Sequence, residues 1–346
     1  MSQIRTNARL REDWKLKVVL TDYAWHPIDM EKEALGKLGA EIVSPNLDYN
    51  SMVLAISDAD VIIQTGFNMT EEIIKNLDNC KAIIHTGIGV DTIDVQSATK
   101  KGIIVSNVIG YCIDEVANHS LMLLLASWHK VIEANNQVRR LQWSWENLIP
   151  IHRLRTAVVG IIGFGKIGQA FLERIKPLCP NILVFDPFQT EKQVSLFGVE
   201  LVDLQELCSR SDLISVHCPL TKETTHLIGE KEIGFMKKQA YIINTARGQI
   251  IDEKALIDAL KNKRIAGAAL DVLKIEPINP GNGLLNLDNV ILTPHQAFYS
   301  EESILELRQG TIAACENILK NRLPDSVVNP EVLSNSNLKQ FREGSE

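Results

Sequence analysis

Three side chains in the second half of the chain could together carry out acid–base chemistry on a small carboxylic acid: those of Arg247, Glu276 and His295. The planar guanidinium of Arg247 can bind a carboxylate through two parallel hydrogen bonds. His295 belongs to the residue type that most often serves as a general acid, and Glu276 could accept a hydrogen bond from the imidazole and hold it in place. These residue types therefore indicate a proton donor beside a carboxylate-binding group.

Two of these residues also have a structural interpretation. His295 follows a proline, where a histidine is often a turn residue, and Arg247 could pair with a surface carboxylate. Their positions favour function. Polar residues of this half fall at or just past the carboxyl ends of predicted strands, the edge that forms the ligand crevice of an open parallel sheet. The residues at this edge are Gly163, Asp186, His217, Thr245, Ala246, Arg247, Asp271 and His295.

Residues 163–168 form a Gly-x-Gly-x-x-Gly motif between a predicted strand and a helical run. The first glycine permits a tight turn, the second lets the backbone approach a pyrophosphate, and the third allows close packing of helix on strand. The N–H groups at the start of the helix can bind phosphates. The motif therefore predicts dinucleotide binding by Gly163, Gly165, Lys166, Ile167 and Gly168.

Asp186 follows the next predicted strand, 18 residues after Gly168. Its carboxylate could accept hydrogen bonds from an adenosine ribose and would repel a 2′-phosphate, which favours NAD over NADP. The structural alternative is an aspartate that opens the turn at Pro187. The whole fingerprint favours the NAD interpretation.

Short β-branched runs alternate with helical patterns along the chain, which predicts an α/β protein with two doubly wound parallel sheets. An uninterrupted helix is expected over 114–140, and its His119 and His129 are interpreted as structural. An amphipathic helix over 302–319 should fold back onto the first domain, and 334–346 should be a frayed tail. The predicted strands are 17–21, 41–44, 61–64, 81–85 and 102–106, then 158–162, 182–185, 213–216, 241–244, 267–270 and 290–292.

The net charge of −7 argues against a nucleic-acid-binding or anionic-membrane-binding protein, since either would need a basic face. No apolar run reaches the roughly 18 residues of a membrane span, and residues 1–15 lack the apolar core of a secretory signal. The six cysteines are scattered without a Cys-x-x-Cys pair, so they are expected to be reduced thiols in a cytoplasmic protein rather than metal ligands.

Five segments in order, 159–168, 217–224, 243–248, 267–271 and 293–295, resemble the D-isomer-specific 2-hydroxyacid dehydrogenase family. The resemblance implies an NAD-dependent, generally dimeric enzyme that interconverts a 2-oxo acid and a D-2-hydroxy acid. By this likeness Arg247 binds the substrate carboxylate and carbonyl, Glu276 supports the histidine, and His295 is the acid/base. It also implies that Asp271 holds the nicotinamide carboxamide, that His217, Pro219 and Thr224 lie along the cofactor, and that the 114–140 helix and the nucleotide domain form the dimer contact.

The resemblance extends to the first domain, where 87–94 looks like the family's substrate loop. The N–H groups of Ile88 and Gly89 would receive the carboxylate, and His85 stands where many relatives carry an arginine. The likeness implies a Rossmann NAD-binding domain, 107–299, inserted into a smaller flavodoxin-like substrate domain, 1–106 plus 300–346. Residues 295–303 resemble the C-terminal-binding-protein branch and its phosphoglycerate-dehydrogenase-like relatives, with Phe298 in the place of a tryptophan near the substrate.

Two other functions remain open from the sequence. One is an NAD(H)-sensing, co-repressor-like interaction protein of the C-terminal-binding-protein type, because a fold does not fix a function. The other is a different Rossmann enzyme, such as an amino-acid dehydrogenase. The order of Arg247, Glu276 and His295 along the chain favours the 2-hydroxyacid dehydrogenase, although it does not identify the substrate.

Overall fold

The computed structural model describes residues 16–44, 48–335, 338 and 341. The chain divides into two units, which we call unit 1 (residues 1–111 and 301–346) and unit 2 (residues 112–300). The domain boundaries predicted from the sequence lie between residues 106 and 107 and between residues 299 and 300. Residues 1–15, for which the sequence predicts no secretory signal, lie outside the described residues.

Unit 1 is built on a five-stranded parallel sheet in the order β2-β1-β3-β4-β5. The two central runs are rich in isoleucine and buried throughout, as strands covered on both faces require. Asp or Thr residues begin several of the helices; Asp48 and Thr70, for example, accept hydrogen bonds from first-turn N–H groups. The elements are β1 (Leu16–Leu20), α1 (Asp29–Gly36), β2 (Ala40–Val43), α2 (Tyr49–Ile56), β3 (Val61–Gln64), α3 (Glu71–Lys75), β4 (Ala82–His85), α4 (Val95–Lys101), β5 (Ile104–Asn107) and α12 (Glu301–Leu319).

The C-terminal helix α12 belongs to unit 1 and packs on α1, β3 and β4, as the sequence predicts. Its buried face includes Leu307, Cys315 and Ile318. The prediction of a frayed tail after residue 334 is wrong for Leu338 and Phe341, which are 3% and 1% exposed in the same hydrophobic core. Both side chains are large and apolar, and burying them outweighs the cost of fixing these two residues.

Unit 2 contains a seven-stranded parallel sheet in the order β12-β11-β10-β9-β6-β7-β8, with helices between the strands. The two parallel sheets confirm the predicted fold class. One strand more than the six predicted is present. It is β8, whose two residues are too few to show a pattern in the sequence. The strands are β6 (Val158–Ile162), β7 (Asn181–Phe185), β8 (Glu200–Leu201), β9 (Leu213–Val216), β10 (Tyr241–Asn244), β11 (Gly267–Leu270) and β12 (Val290–Leu292). The helices are α5 (Ile113–Trp128), α6 (Val131–Arg139), α7 (Lys166–Ile175), α8 (Glu191–Ser195), α9 (Leu204–Arg210), α10 (Glu230–Phe235) and α11 (Glu253–Lys261).

The predicted single helix over 114–140 is wrong, because the chain forms α5 and α6 with a break between them. Lys130 adopts a left-handed backbone conformation with φ 52° and ψ 39°. Trp128, at the end of α5, is buried and packs edge-on against Tyr241 at a ring distance of 6.3 Å. A left-handed lysine carries no local sequence signal, because non-glycine residues reach that conformation only where the surrounding structure imposes it.

The cysteines are all free, and all but Cys80 are buried. Within the described part of the chain, no helix is long and apolar enough to cross a membrane.

Candidate active site

The glycine motif forms the turn between β6 and α7. Gly163 has φ +90°, and a Cβ there would lie 2.6 Å from the backbone nitrogen of Cys218. A Cβ at Gly168 would lie 2.3 Å from the carbonyl oxygen of Gly163, so α7 approaches the turn more closely than any side chain permits. A Cβ at Gly165 would meet no atom within 4 Å, which leaves open space over the turn. The turn therefore requires glycine at 163 and 168 and leaves its backbone accessible at Gly165.

The amino end of α7 fits an anionic ligand. Gly165 is the N-cap of this ten-residue helix, and no side chain caps its first N–H groups. Lys166 and Ile167 begin the helix, so their N–H groups point toward the open space, where the positive end of the helix dipole also lies. These features of the chain fit the pyrophosphate of NAD.

Asp186 lies directly after β7 and accepts two backbone hydrogen bonds. The N–H of Phe164 donates to Oδ2 at 2.7 Å, and the N–H of Phe188 donates to Oδ1 at 2.9 Å. The first of these bonds ties the aspartate to the glycine turn. Because a carboxylate has about four acceptor positions, both oxygens can still accept from a ribose hydroxyl.

The segment after β9 holds three residues that the resemblance assigned to the cofactor. His217 donates to or accepts from the hydroxyl of Ser215 at 2.8 Å, and burial lowers the pKa of His217 to about 3. Its Nδ1 is buried and has no hydrogen-bond partner. Thr224 donates from its hydroxyl to the carbonyl of Pro219 at 2.6 Å, so it closes the turn 219–224. The structure thus gives Thr224 a local structural contact in addition to its predicted role.

The turn after β10 presents Arg247. The side chain of Asn244 fixes this turn, since it accepts from the N–H of Ala246 at 3.0 Å and donates to the carbonyl of Arg247 at 2.9 Å. Thr245 is buried and shares a hydrogen bond with Ser120 of α5 at 2.8 Å. A Cβ at Gly248 would lie 2.0 Å from the carbonyl carbon of Leu273, so the turn lies directly against the loop after β11.

Asp271 organises the turn that carries His295. Its carboxylate is buried and accepts from the hydroxyl of Thr293 at 2.5 Å and from the N–H groups of Gln296 at 3.0 Å and Ala297 at 2.9 Å. His119 of α5 lies 3.4 Å from the same carboxylate. Desolvation raises the pKa of Asp271, but these hydrogen bonds outweigh it and lower the pKa below its ordinary value.

Glu276 and His295 form the pair that the sequence predicts. Nδ1 of His295 lies 2.6 Å from Oε2 of Glu276, and the N–H of Leu273 donates to Oε1 at 2.8 Å. Desolvation raises the pKa of Glu276, but the hydrogen bonds and the positive charges of His295 and Arg247 outweigh it and lower the pKa. A carboxylate on Nδ1 orients the ring and leaves Nε2 to exchange a proton with a ligand.

The backbone and exposure of His295 suit such an exchange. His295 has φ +52°, and its N–H donates to the carbonyl of Asp271 at 2.8 Å. The imidazole is 42% exposed, and its ring lies edge-on to Phe298 at 6.3 Å. A histidine with a strained backbone that is held by hydrogen bonds, and with an accessible ring, is typical of a functional position.

The predicted substrate residues of unit 1 lie at the carboxyl end of β4. His85 is the last residue of that strand, and the loop beginning at Gly87 follows it. The side chain of Asn107, which ends β5, donates to the carbonyl of Ile88 at 2.6 Å and so holds the loop. Gly89 lies in the same half-buried loop.

Sequence reasoning missed the contribution of α5 to the site in unit 2. His119 lies 3.0 Å from the hydroxyl of Thr293, and Ser120 bonds to Thr245. His119 and Ser120 are adjacent polar residues in the middle of α5, directly before the apolar run of residues 121–125, and this position is the signal that could have found them. No group of three or more histidine, cysteine or carboxylate side chains that could hold a metal ion occurs among the described residues.

This chain is similar in sequence and structure to known proteins. Residues 121–297 match the D-isomer specific 2-hydroxyacid dehydrogenase, NAD binding domain. D-3-phosphoglycerate dehydrogenase of Methanocaldococcus jannaschii is 40% identical over 319 residues, which cover 91% of this chain and 59% of that protein. Hydroxypyruvate reductase of Blautia hydrogenotrophica is 33% identical over 322 residues, 90% of this chain and 99% of that protein.

A solved structure of D-lactate dehydrogenase from Aquifex aeolicus, complexed with NAD and lactic acid, is 29% identical with a TM-score of 0.80. The match covers 88% of this chain and 95% of that chain. The chain spans less than two thirds of the length of the phosphoglycerate dehydrogenases it matches, 59% and 48%.

Proposed function

Because the chain belongs to the D-isomer specific 2-hydroxyacid dehydrogenase family and contains its NAD-binding domain, we propose that it interconverts a 2-oxo acid and a D-2-hydroxy acid with NAD. The observation that carries this proposal is the 2.6 Å contact between Glu276 and His295, beside a loop packed on the Arg247 turn. These groups share the edge of the sheet with the dinucleotide turn. Bound NAD would supply or accept the hydride at the substrate C2.

The residues of the chain then supply binding and proton transfer. Arg247 would bind the substrate carboxylate and carbonyl, and the N–H groups of Ile88 and Gly89 would receive the carboxylate as well. In reduction, Nε2 of His295 would donate a proton to the carbonyl oxygen, and in oxidation it would remove the proton from the hydroxyl. Glu276 would stabilise the imidazolium and keep its ring in place.

The remaining polar groups would position the cofactor. Asp186 would bind the adenosine ribose, and the N–H groups of Lys166 and Ile167 the phosphates. His217 and Pro219 would lie along the cofactor, and Asp271 would hold the carboxamide while keeping the 293–297 turn in place.

A spectrophotometric assay tests this proposal directly. Purified protein is incubated with NADH or NADPH and a series of 2-oxo acids that includes glyoxylate, hydroxypyruvate and pyruvate, and absorbance at the nicotinamide band is followed. We expect oxidation of NADH with at least one of these acids and formation of the D-isomer where the product is chiral. A protein that binds NADH but oxidises it with none of them would instead support the co-repressor-like alternative.

We also propose a homodimer formed through unit 2. Large apolar side chains are exposed along α5, α6 and the segment that follows; Leu141 is 94% and Trp143 88% exposed. A contiguous set of this kind is typical of a protein interface. Sedimentation of the native protein should show a dimer, and Trp143→Ser together with Leu141→Ser should shift it to monomer. Leu196→Ser, which alters a side chain 82% exposed elsewhere in unit 2, is the matched control.

A cytoplasmic location is part of the same proposal. It is supported by the free cysteines at 80, 112, 179, 208, 218 and 315, since paired cysteines accumulate in oxidising compartments. Burial raises the pKa of Cys218 to about 11 and so keeps this thiol protonated and unreactive at neutral pH. Fractionation of cells, with the protein followed by immunoblot, tests the location.

A further inference from the structure

Lysine and arginine are absent from four described segments at the ligand edge of the unit 1 sheet. Four segments follow the carboxyl ends of β1, β3, β4 and β5, and we call them the crevice segments: 21–28, 65–70, 86–94 and 108–111. All four are described in full, and none contains lysine or arginine. Their acidic side chains are those of Asp22, Asp91 and Asp94. These four segments therefore offer an anionic ligand no lysine or arginine of their own.

The helices that start from this edge do not make up for that deficit. The first turn of α1 contains Asp29, and the first turn of α3 contains Glu72. The other two first-turn carboxylates, Glu31 and Glu71, form ion pairs with Arg308 and Lys75. Carboxylates in a first turn already interact with the positive end of the helix dipole. The edge thus stays acidic in balance when the helix ends are included.

Arg308 of α12 reaches the first crevice segment, but its charge is already neutralised. Its guanidinium donates to both oxygens of Glu31 at 2.8 Å and to the carbonyl of Pro27 at 2.9 Å. The Glu31 side chain is fully buried and also accepts from the hydroxyl of Tyr23 at 2.7 Å. Desolvation raises the pKa of Glu31, but these hydrogen bonds outweigh it and lower the pKa, which keeps the pair ionised. A buried bidentate pair of this kind does not release its arginine to a ligand.

Amide, imidazole and hydroxyl groups occupy the centre of the edge instead. The amide of Gln64 lies 3.1 Å from Nδ1 of His85 and 3.2 Å from the hydroxyl of Thr92. One amide atom of Gln64, assigned as Oε1, is buried without a partner. A Cβ at Gly87 would lie 2.6 Å from Nε2 of His85, so the imidazole supports the loop 87–94 from below.

We propose that the substrate is a 2-oxo acid whose substituent beyond C2 carries no charge, and that this site rejects a phosphorylated substituent. The inference rests on the proposed function, in which the loop 87–94 receives the substrate. A phosphate monoester carries about −1.5 to −2 charges at neutral pH and is bound in proteins by charge-assisted hydrogen bonds. Placing it among carboxylates without lysine or arginine should reduce kcat/KM by about 100-fold or more. A hydrogen atom or a hydroxymethyl group meets no such penalty.

Hydroxypyruvate and 3-phosphohydroxypyruvate provide the test, because they differ only by the phosphate. The full-length protein is assayed with NADH and each acid at one ionic strength, with glyoxylate as a third substrate. We expect kcat/KM for hydroxypyruvate to exceed that for its phosphate ester by about 100-fold or more. An equal or higher value for the phosphate ester would overturn this inference and leave the proposed function standing. If neither these three acids nor the other 2-oxo acids of the series are reduced, the proposed function itself fails.

Inhibition by the reaction products is a second measurement, and it does not depend on turnover of the phosphorylated acid. D-Glycerate should inhibit NADH oxidation more strongly than 3-phospho-D-glycerate at equal concentration. The reverse order would show that the site accepts the phosphate, and it would count against the proposal.

Discussion

Replacement of Asp271 by asparagine tests whether this buried carboxylate holds the turn that presents His295. Asp271 is 1% exposed and accepts from the Thr293 hydroxyl at 2.5 Å and from two backbone N–H groups at 2.9–3.0 Å. Asparagine has almost the same shape, but one of its terminal atoms is a donor. Whichever way the amide is placed, that donor faces at least one of the donors that the carboxylate now accepts from.

The expected loss of stability follows from these contacts. A hydrogen bond to a charged group contributes about 1.5–3 kcal/mol, and a buried donor without an acceptor costs about 1–3 kcal/mol. One lost charge-assisted bond and one opposed donor therefore cost about 3 kcal/mol. For a unit of about 150–250 residues, 1 kcal/mol shifts Tm by about 2–4 °C, so Asp271→Asn should lower Tm by about 6–12 °C.

Thermal unfolding and steady-state kinetics measure the two consequences. The displaced turn should also lower kcat/KM by at least about tenfold, because small displacements of a catalytic group are costly. Asp114→Asn is the matched control, since Asp114 is 78% exposed in a surface ion pair with Arg174 and should change stability by less than about 1 kcal/mol. If Asp271→Asn unfolds within 2 °C of the native protein (roughly 1 kcal/mol), this carboxylate does not hold the 293–297 turn in place.

Three further predictions concern the cofactor side of unit 2. Asp186→Ala should lower the ratio of kcat/KM for NADH over NADPH by about tenfold, and an unchanged ratio would show that this carboxylate does not select the ribose. Gly163→Ala should weaken NADH binding, measured by fluorescence titration, because its Cβ would meet the Cys218 backbone at 2.6 Å; Gly36→Ala, with open space around it, should not. Burial lowers the pKa of His217 to about 3, so only the unfolded chain binds this proton below about pH 6.5, and stability is lost as the pH falls from there toward 3. The drop in Tm between pH 7 and pH 5 should therefore be smaller in His217→Gln, and an equal drop would contradict it.

Much of the fold could be predicted from the sequence, because buried parallel strands consist of runs of apolar, β-branched residues. The strands β9, β10, β11 and β12 have the residues that were predicted. The break between α5 and α6 and the burial of Phe341 were not predicted. Both depend on tertiary contacts of individual side chains, which no local pattern encodes.

The candidate site, like the fold, could be predicted only in part from the sequence. The rule that ligands bind at the carboxyl edge of a parallel sheet brings Arg247, Glu276 and His295 together without coordinates, and the predicted hydrogen bond between the last two is present. The family comparison confirms the family resemblance and the NAD cofactor, whereas the individual roles of these residues remain predictions. The contacts of Asp271 with the 293–297 turn could not be foreseen, since they depend on how one loop crosses another.

The most direct test of the central claim is to measure NADH binding and turnover together in His295→Gln, with the best 2-oxo acid found for the native protein. The dissociation constant of NADH should stay within about threefold, while kcat should fall by about 10²–10⁴-fold, the usual contribution of a positioned general acid. A variant that binds NADH normally and keeps turnover within tenfold of the native protein would contradict the assignment of His295 as the proton donor.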